Sequence, residues 1–409
     1  MDWKQFIYMK WFTPHILRGL VFIEGLFNWH PDGPERPALH PALCPSTSVN
    51  GTSSIYHTNT STSEGPWAPW THKPKCFAAS ADPGIKFCVY TKSDYGTNGI
   101  SILTKSRLMD ASLWSCNEDK VPLLYVPPSQ HLDKAKPYKV VDIEGKGKGT
   151  VATRPIRSGE VIMTDHVSLL VDKSVNNWLT EEQGIDLLNT AIAQFPNPEV
   201  LTDLHRIETD ASGYNTVMDL MESNAFGINI RMPNRAVLPA ISRINHDCHA
   251  NAYLRLLRSK LAGTILAQRD IAEGEEITIS YISPELTRER RRKMLKKEFG
   301  FECSCAKCAA PAEEIAASDD RRKRLRELEY EADDAWEENR TAEAVGLMEQ
   351  GFGFLREEDL MMGAGWRYGY MVKLHSELGQ KNEAEKYQKL EDEWQETYLG
   401  GDPDTYIRV

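Results

Sequence analysis

Three cysteines fall within six residues, Cys303, Cys305 and Cys308, in the run Phe301-Glu302-Cys303-Ser304-Cys305-Ala306-Lys307-Cys308. So tight a C-x-C-x-x-C cluster does not readily pair all its thiols as internal disulfides. It does suit thiolates converging at about 2.3 Å on a tetrahedral zinc. Three ligands need a fourth, and Cys248 is the candidate. Cys248 belongs to a second polar segment, Arg243-Ile244-Asn245-His246-Asp247-Cys248-His249-Ala250-Asn251, whose amide and imidazole groups can hold a polar ligand. A third segment, Glu273-Gly274-Glu275-Glu276-Ile277-Thr278-Ile279-Ser280-Tyr281, reads as a turn feeding a strand that ends in a phenol. A fourth is the glycine turn Gly145-Lys146-Gly147-Lys148-Gly149, where glycine permits positive φ and close approach of the backbone to a ligand. It does not follow the dinucleotide-binding spacing and no helix opens after it. Each of the last three, alone, is also what an ordinary hairpin or core pair looks like.

The elements that must position these groups read as a β-rich domain. Tyr138–Ile143 and Val161–Met163 read as strands punctuated by Gly and Pro turns, a pattern of short strands rather than alternating βαβ units. Residues 180–222 carry apolar positions at helical spacing, and strands return between Asn224 and Tyr281. Beyond Asp319 the chain turns helical. Asp319–Asn339 presents one apolar side, and Trp366–Leu378, Gly379 and Glu383–Leu399 form a hairpin of tetratricopeptide type. One such unit reads more simply as a helical cap on the preceding domain, because stable arrays need about three repeats.

The chain has 409 residues, enough for two or three domains. Its formal net charge of −11 argues against a broad nucleic-acid surface. No apolar run is long enough to span a membrane. Residues 30–75 are rich in Pro, Ser, Thr, Gly and Asn and read as disordered. They contain sequons at Asn50 and Asn59, which matter only on the secretory route. The apolar stretch Trp11–Phe27 faintly resembles a secretory signal but is interrupted by Arg18 and Glu24. Residues 76–135 read as a small strand-bearing extension with no assigned chemistry. Its cysteines and the one before it, Cys44, Cys76, Cys88 and Cys116, form disulfides if the chain is exported and stay as buried thiols if not. The run Arg288, Arg290, Arg291, Arg292, Lys293, Lys296 and Lys297 reads as a solvated helix face, with Glu285, Glu289 and Glu298 as counter-charges.

Taken in order, the four motifs resemble the SET-domain lysine methyltransferases, over about Tyr138 to Cys308. The segments Asn224-Ala225-Phe226, Asn245-His246-Asp247-Cys248 and the cysteine tail are similar to the SET-and-MYND subfamily. Two departures stand out. Ala250 precedes Asn251 where that subfamily usually has Pro, and no cysteine lies between Asp165 and Asn224, so the MYND finger is expected to be missing.

The resemblance implies an α+β fold. A β-rich SET domain with a pseudoknot-like core occupies residues 136–284 and carries a helical insert at about 172–223. A zinc-binding post-SET segment follows at 285–311 and a helical region at 312–409, with residues 1–75 and 76–135 ahead of them. It implies S-adenosylmethionine as methyl donor and a structural zinc held by Cys248, Cys303, Cys305 and Cys308. Tyr281 takes the catalytic position and also meets the cofactor. Lys148 and Gly149 would hold the cofactor's methionine end through backbone groups. Asn224, Asn245 and His246 would hold its amino, ribose and adenine edges, and Phe301 would stack on adenine. The implied partner is a histone or non-histone protein bearing a target lysine, met in the nucleus or cytoplasm, since export sits badly with a reduced zinc–thiolate centre. The competing expectation is a SET-like interaction module without catalysis.

Overall fold

The structure is a computed structural model that describes Trp67 and residues 70–109, 136–204, 216–230, 232–257 and 260–400. The Ser/Thr-rich stretch up to residue 66, the apolar N-terminal run, both sequons, Cys44 and Cys116 lie outside the described residues.

Among the described residues there are thirteen strands: β1 (Lys75–Ala78), β2 (Lys86–Lys92), β3 (Ile100–Lys105), β4 (Tyr138–Ile143), β5 (Gly147–Ala152), β6 (Val161–His166), β7 (Leu169–Asp172), β8 (Ala225–Ile230), β9 (Met232–Val237), β10 (Asn245–His246), β11 (Ala252–Leu257), β12 (Ala262–Ala267) and β13 (Glu276–Ile279). They form three sheets, ordered β1-β2-β3-β7-β9-β8, β10-β13-β5-β4 and β11-β12-β6. The β4–β5 hairpin turns through Gly145 and Gly147, both at φ +73°, which L side chains adopt only with strain.

Residues 75–105 share a sheet with the strands that follow. β3 pairs in parallel with β7, Ser101 opposite Leu169, so the extension and the later strands have one core. β3 is buried at every position, as an inner strand covered on both faces must be. Cys76 and Cys88 face each other across β1 and β2 and form a disulfide.

The insert after β7 holds α1 (Glu181–Ala193) and α2 (Thr216–Asn224). α1 opens with a capping box. The Thr180 hydroxyl accepts from the Gln183 amide at 3.3 Å, and the Gln183 side chain accepts from the Thr180 amide at 3.1 Å. Its Leu187, Leu188, Ala191 and Ile192 bury against Phe87, Val89, Leu103 and Leu169 of the six-stranded sheet.

After β13 come α3 (Arg288–Met294) and α4 (Ala306–Ala309), which frame the cysteine tail. Four longer helices follow: α5 (Ala312–Glu337), α6 (Thr341–Glu357), α7 (Gly365–Glu377) and α8 (Lys381–Trp394). α5 begins at Ala312, ahead of the expected Asp319, because Pro311 opens it and Glu313 and Glu314 complement the positive end of its dipole. These helices bury their own core of Leu325, Ala332, Ala335, Met348, Phe352, Leu355, Met371, Leu374 and Tyr387. The residues that follow α8 dock on β11, where the Tyr253 hydroxyl donates to the Thr397 carbonyl at 2.7 Å.

Candidate active site and metal centre

The site is assembled by one short parallel pairing. β10 lies beside β13 with Asn245 opposite Thr278 and His246 opposite Ile279. Buried Asn251 locks this register. Its Oδ1 accepts from the Thr278 amide at 2.9 Å and its Nδ2 donates to the Glu276 carbonyl at 2.8 Å. The motif asparagine that follows Ala250 is therefore a structural residue.

Tyr281 leaves the end of β13 and turns back over β10. Its amide donates to His246 Nδ1 at 3.0 Å, and its hydroxyl donates to the Ile244 carbonyl at 2.7 Å. Burial, with the Glu276 charge adding to it, pushes the phenol pKa well above its ordinary value, so Tyr281 is a neutral phenol across the physiological range. Since the hydroxyl proton is committed to Ile244, the oxygen lone pairs are what Tyr281 can offer a second partner. The His246 ring centroid lies 5.3 Å from Tyr281 and 6.0 Å from Phe301, and Tyr281 lies 4.9 Å from Phe299. Burial lowers the His246 pKa to about 4, so the imidazole is neutral. With Nδ1 accepting, its proton sits on Nε2, 3.3 Å from Cys248 Sγ.

On the other flank is the glycine turn. A Cβ on Gly149 would lie 2.6 Å from Asn245 Nδ2 and 2.6 Å from Ile143 Cγ1. Asn245 and Ile143 pack so closely on Gly149 that only a glycine fits there. Asn245 Nδ2 donates to Glu276 Oε1 at 2.9 Å, and Lys146 Nζ donates to Glu276 Oε2 at 2.6 Å. Glu276 is thus a member of the site that the motifs did not single out. Its one sequence signal is a carboxylate five residues before Tyr281. The Lys148 side chain points away and pairs with exposed Asp142 at 3.1 Å, leaving only its backbone beside the site. Asn224 ends α2 and its amide donates to the Leu204 carbonyl at 2.8 Å. Its carbonyl accepts from Ser242, the residue just before the motif segment, at 3.2 Å.

Below the aromatic group, Cys248, Cys303, Cys305 and Cys308 bring their sulfurs within 4.8 Å of one another. Cys248 Sγ lies 3.8 Å from Cys303 Sγ and 3.6 Å from Cys308 Sγ. Four sulfurs on a tetrahedron of about 2.3 Å radius stand about 3.8 Å apart, so the donor set and its spacing fit zinc. Hydrogen bonds among the sulfurs push the Cys248 and Cys303 thiols up and hold those of Cys305 and Cys308 down, so the four titrate as one coupled group. Arg291 belongs here too. It is 2% exposed, not on a solvated face as its charge run suggests. Burial opposes its charge, but the adjacent Cys248 and Cys308 outweigh this and raise its pKa. The cluster also contains Ile282 and Leu295, with Phe299 and Phe301 packed on it, so the tail is fastened to the exit of β13.

Comparison with known proteins agrees with this arrangement. Residues 147–282 match the SET domain family. Among curated relatives, histone-lysine N-methyltransferase set5 of Schizosaccharomyces pombe is 30% identical over 196 residues, 46% of this chain and 56% of that protein. Histone-lysine N-methyltransferase SMYD3 of Homo sapiens is 34% identical over 143 residues, 32% of this chain and 31% of that protein. Protein-lysine N-trimethyltransferase SMYD5 of Gallus gallus is 28% identical over 183 residues, 41% of this chain and 42% of that protein. The matched stretches span between 31% and 56% of these three relatives.

Proposed function

We propose that this chain, which carries a SET domain at residues 147–282, transfers a methyl group from S-adenosylmethionine to the neutral ε-amine of a lysine in a protein substrate. The observation that supports this most is the β10–β13 pairing, which gathers Asn245, His246, Gly149 and Tyr281 at one place beside the thiol cluster. Bound S-adenosylmethionine supplies an electrophilic methyl carbon and a positive charge.

The chain's own residues have three tasks. The first is to favour the neutral amine. A free lysine has a pKa of about 10.4, so only about one in 2,500 is neutral at pH 7. An amine brought against packed rings such as Tyr281 and Phe299 would be desolvated, which disfavours the ammonium. The second is to aim the amine. The Tyr281 oxygen, its proton held by Ile244, accepts from the amine N–H and leaves the nitrogen lone pair free. The raised phenol pKa makes Tyr281 an orienting group and not a base. The third is to seat the donor. Gly149 and the backbone of Lys148 approach its methionine end. Asn245, fixed by Glu276, offers its amide oxygen, His246 and Asn224, whose side chains are taken by Tyr281 and Cys248 and by Leu204, offer backbone groups, and Phe301 covers adenine.

A zinc bound by the four thiolates ties the tail over this site, because no such cluster exists in the unfolded chain. The matched relatives' names give a histone or other protein lysine as the substrate class, and such a substrate would be met in the nucleus or cytoplasm. The test is transfer of a labelled methyl group from S-adenosylmethionine to histones or a cell lysate, lost in Tyr281→Phe. Donor binding without transfer to any protein would favour the interaction-module reading, and absence of donor binding would refute the proposal.

A further inference from the structure

Three consecutive residues just past Tyr281 are each taken by a different buried arginine. Pro284 offers its carbonyl to Arg322 Nε at 3.1 Å, and Arg322 comes from α5. Glu285 gives both carboxylate oxygens to Arg367 of α7, Oε1 to Nη1 at 3.0 Å and Oε2 to Nη2 at 3.0 Å. The Leu286 carbonyl accepts from Arg291. Arg367 is 1% exposed and also donates to Glu329 of α5 at 2.8 Å and to the Gly363 carbonyl. Arg322 is 4% exposed and pairs with Glu358.

The surroundings are built for these contacts. A Cβ on Gly363 would collide with the Glu285 carboxylate. The turn that carries Gly363 is held from α8, where the Trp394 indole donates to the Met362 carbonyl at 3.0 Å. A helical region that merely capped the domain would need apolar contact and little else. Buried ion pairs are weak devices for stability because desolvation offsets attraction. A bidentate guanidinium–carboxylate fork is, however, a strong device for orientation.

We propose that Arg367 and Arg322 are positioning residues. Through Glu285 and Pro284 they fix the exit of β13, and so keep the Tyr281 phenol seated against the Ile244 carbonyl. The inference rests on Tyr281 being the reaction centre. It makes the C-terminal helices part of the transfer machinery without their touching the substrate.

Glu285→Ala tests it, since Arg367 keeps Glu329 and the C-terminal core is untouched. Deuterium uptake in peptides covering residues 281–287 should quicken about tenfold, while α5 to α8 stay at wild-type protection. The kcat should fall about ten- to a hundredfold with KM for S-adenosylmethionine and zinc content unchanged. Glu285→Gln should lie between. Arg367→Lys, which keeps the charge and removes the fork, provides the same reading should Glu285→Ala not fold. Wild-type exchange at 281–287 would overturn the clamp. Faster exchange with full kcat would overturn its positioning role. A wild-type chain that transfers no methyl group would instead refute the transferase reading, with the exchange experiment still deciding the clamp.

Discussion

Replacing Gly149 by alanine tests the close packing of Asn245 and Ile143 on this position. The added Cβ lies 2.6 Å from Asn245 Nδ2, 2.6 Å from Ile143 Cγ1 and 3.1 Å from Glu276 Oε1, where ordinary contact begins near 3.4 Å. The difference between 3.4 and 2.6 Å requires Asn245 and Ile143 each to retreat by about 0.8 Å, and at van der Waals range so large an overlap is not absorbed in place. Moving Asn245 loosens its 2.9 Å bond to Glu276, which orients it at the proposed donor site. Overpacking of this kind costs about 1–3 kcal/mol. If it falls on the donor-binding face, affinity for S-adenosylmethionine drops about ten- to a hundredfold by titration calorimetry. Gly147→Ala is the control. Nothing lies within 4 Å of its Cβ, but its φ of +73° strains an L residue by about 1–2 kcal/mol. It should lower the melting temperature and leave donor affinity intact. Equal donor affinity in Gly149→Ala and wild type, or an equal loss in both variants, would refute the reasoning that the Gly149–Asn245 contact supports the donor site.

Three further outcomes are expected. Tyr281→Phe leaves the Ile244 carbonyl without its donor and the amine without its acceptor, so methyl transfer should fall at least a hundredfold while the donor dissociation constant stays within a factor of two. Cys308→Ser, or exhaustive chelation, should reduce bound zinc measured by plasma emission from about one per chain to none and speed proteolysis in the 295–310 segment, because metal binding and folding of the tail are coupled. Asp165 offers a pH test remote from the metal. Burial raises its pKa to about 6 from an ordinary 3.8, although the Ala240 and Ile241 amides pull the other way. A raised acid favours folding most when protonated. Its contribution is therefore complete below about pH 3.8 and lost as pH rises through 6. Relative to Asp165→Asn, the wild type should gain on the order of 2 kcal/mol of unfolding free energy between pH 7 and pH 4, followed by denaturant midpoints. A flat difference would contradict it.

The helical region shows where sequence reading stops. The spacing of Leu325, Leu328, Ala332 and Ala335 gives a helix with an apolar face, and the structure has one there. The same sequence offers Arg322 and Arg367 as two more surface charges among many. Only the packing of α5, α6 and α7 buries them and aims them at Pro284 and Glu285. Arg291 is similar. Its neighbours Arg290 and Arg292 carry the same charge, and helix phase alone turns Arg291 inward toward the thiols. Glu276 could not be told from Glu273 or Glu275 until strand register set it beside Asn245.

What the residues fixed by themselves is local chemistry: four thiols of the right type, glycines at turns needing positive φ, an Asn-His pair and a strand ending in a phenol. Such features depend on residue type and short spacing, which the chain carries in one dimension. What the tertiary structure alone decided is which of them meet. Cys248 joins Cys303 across 55 residues, and Gly149 reaches Asn245, because β10, β13 and β5 lie side by side. Pairing over such separations is chosen by burial and strand register across the whole core, which no local pattern encodes.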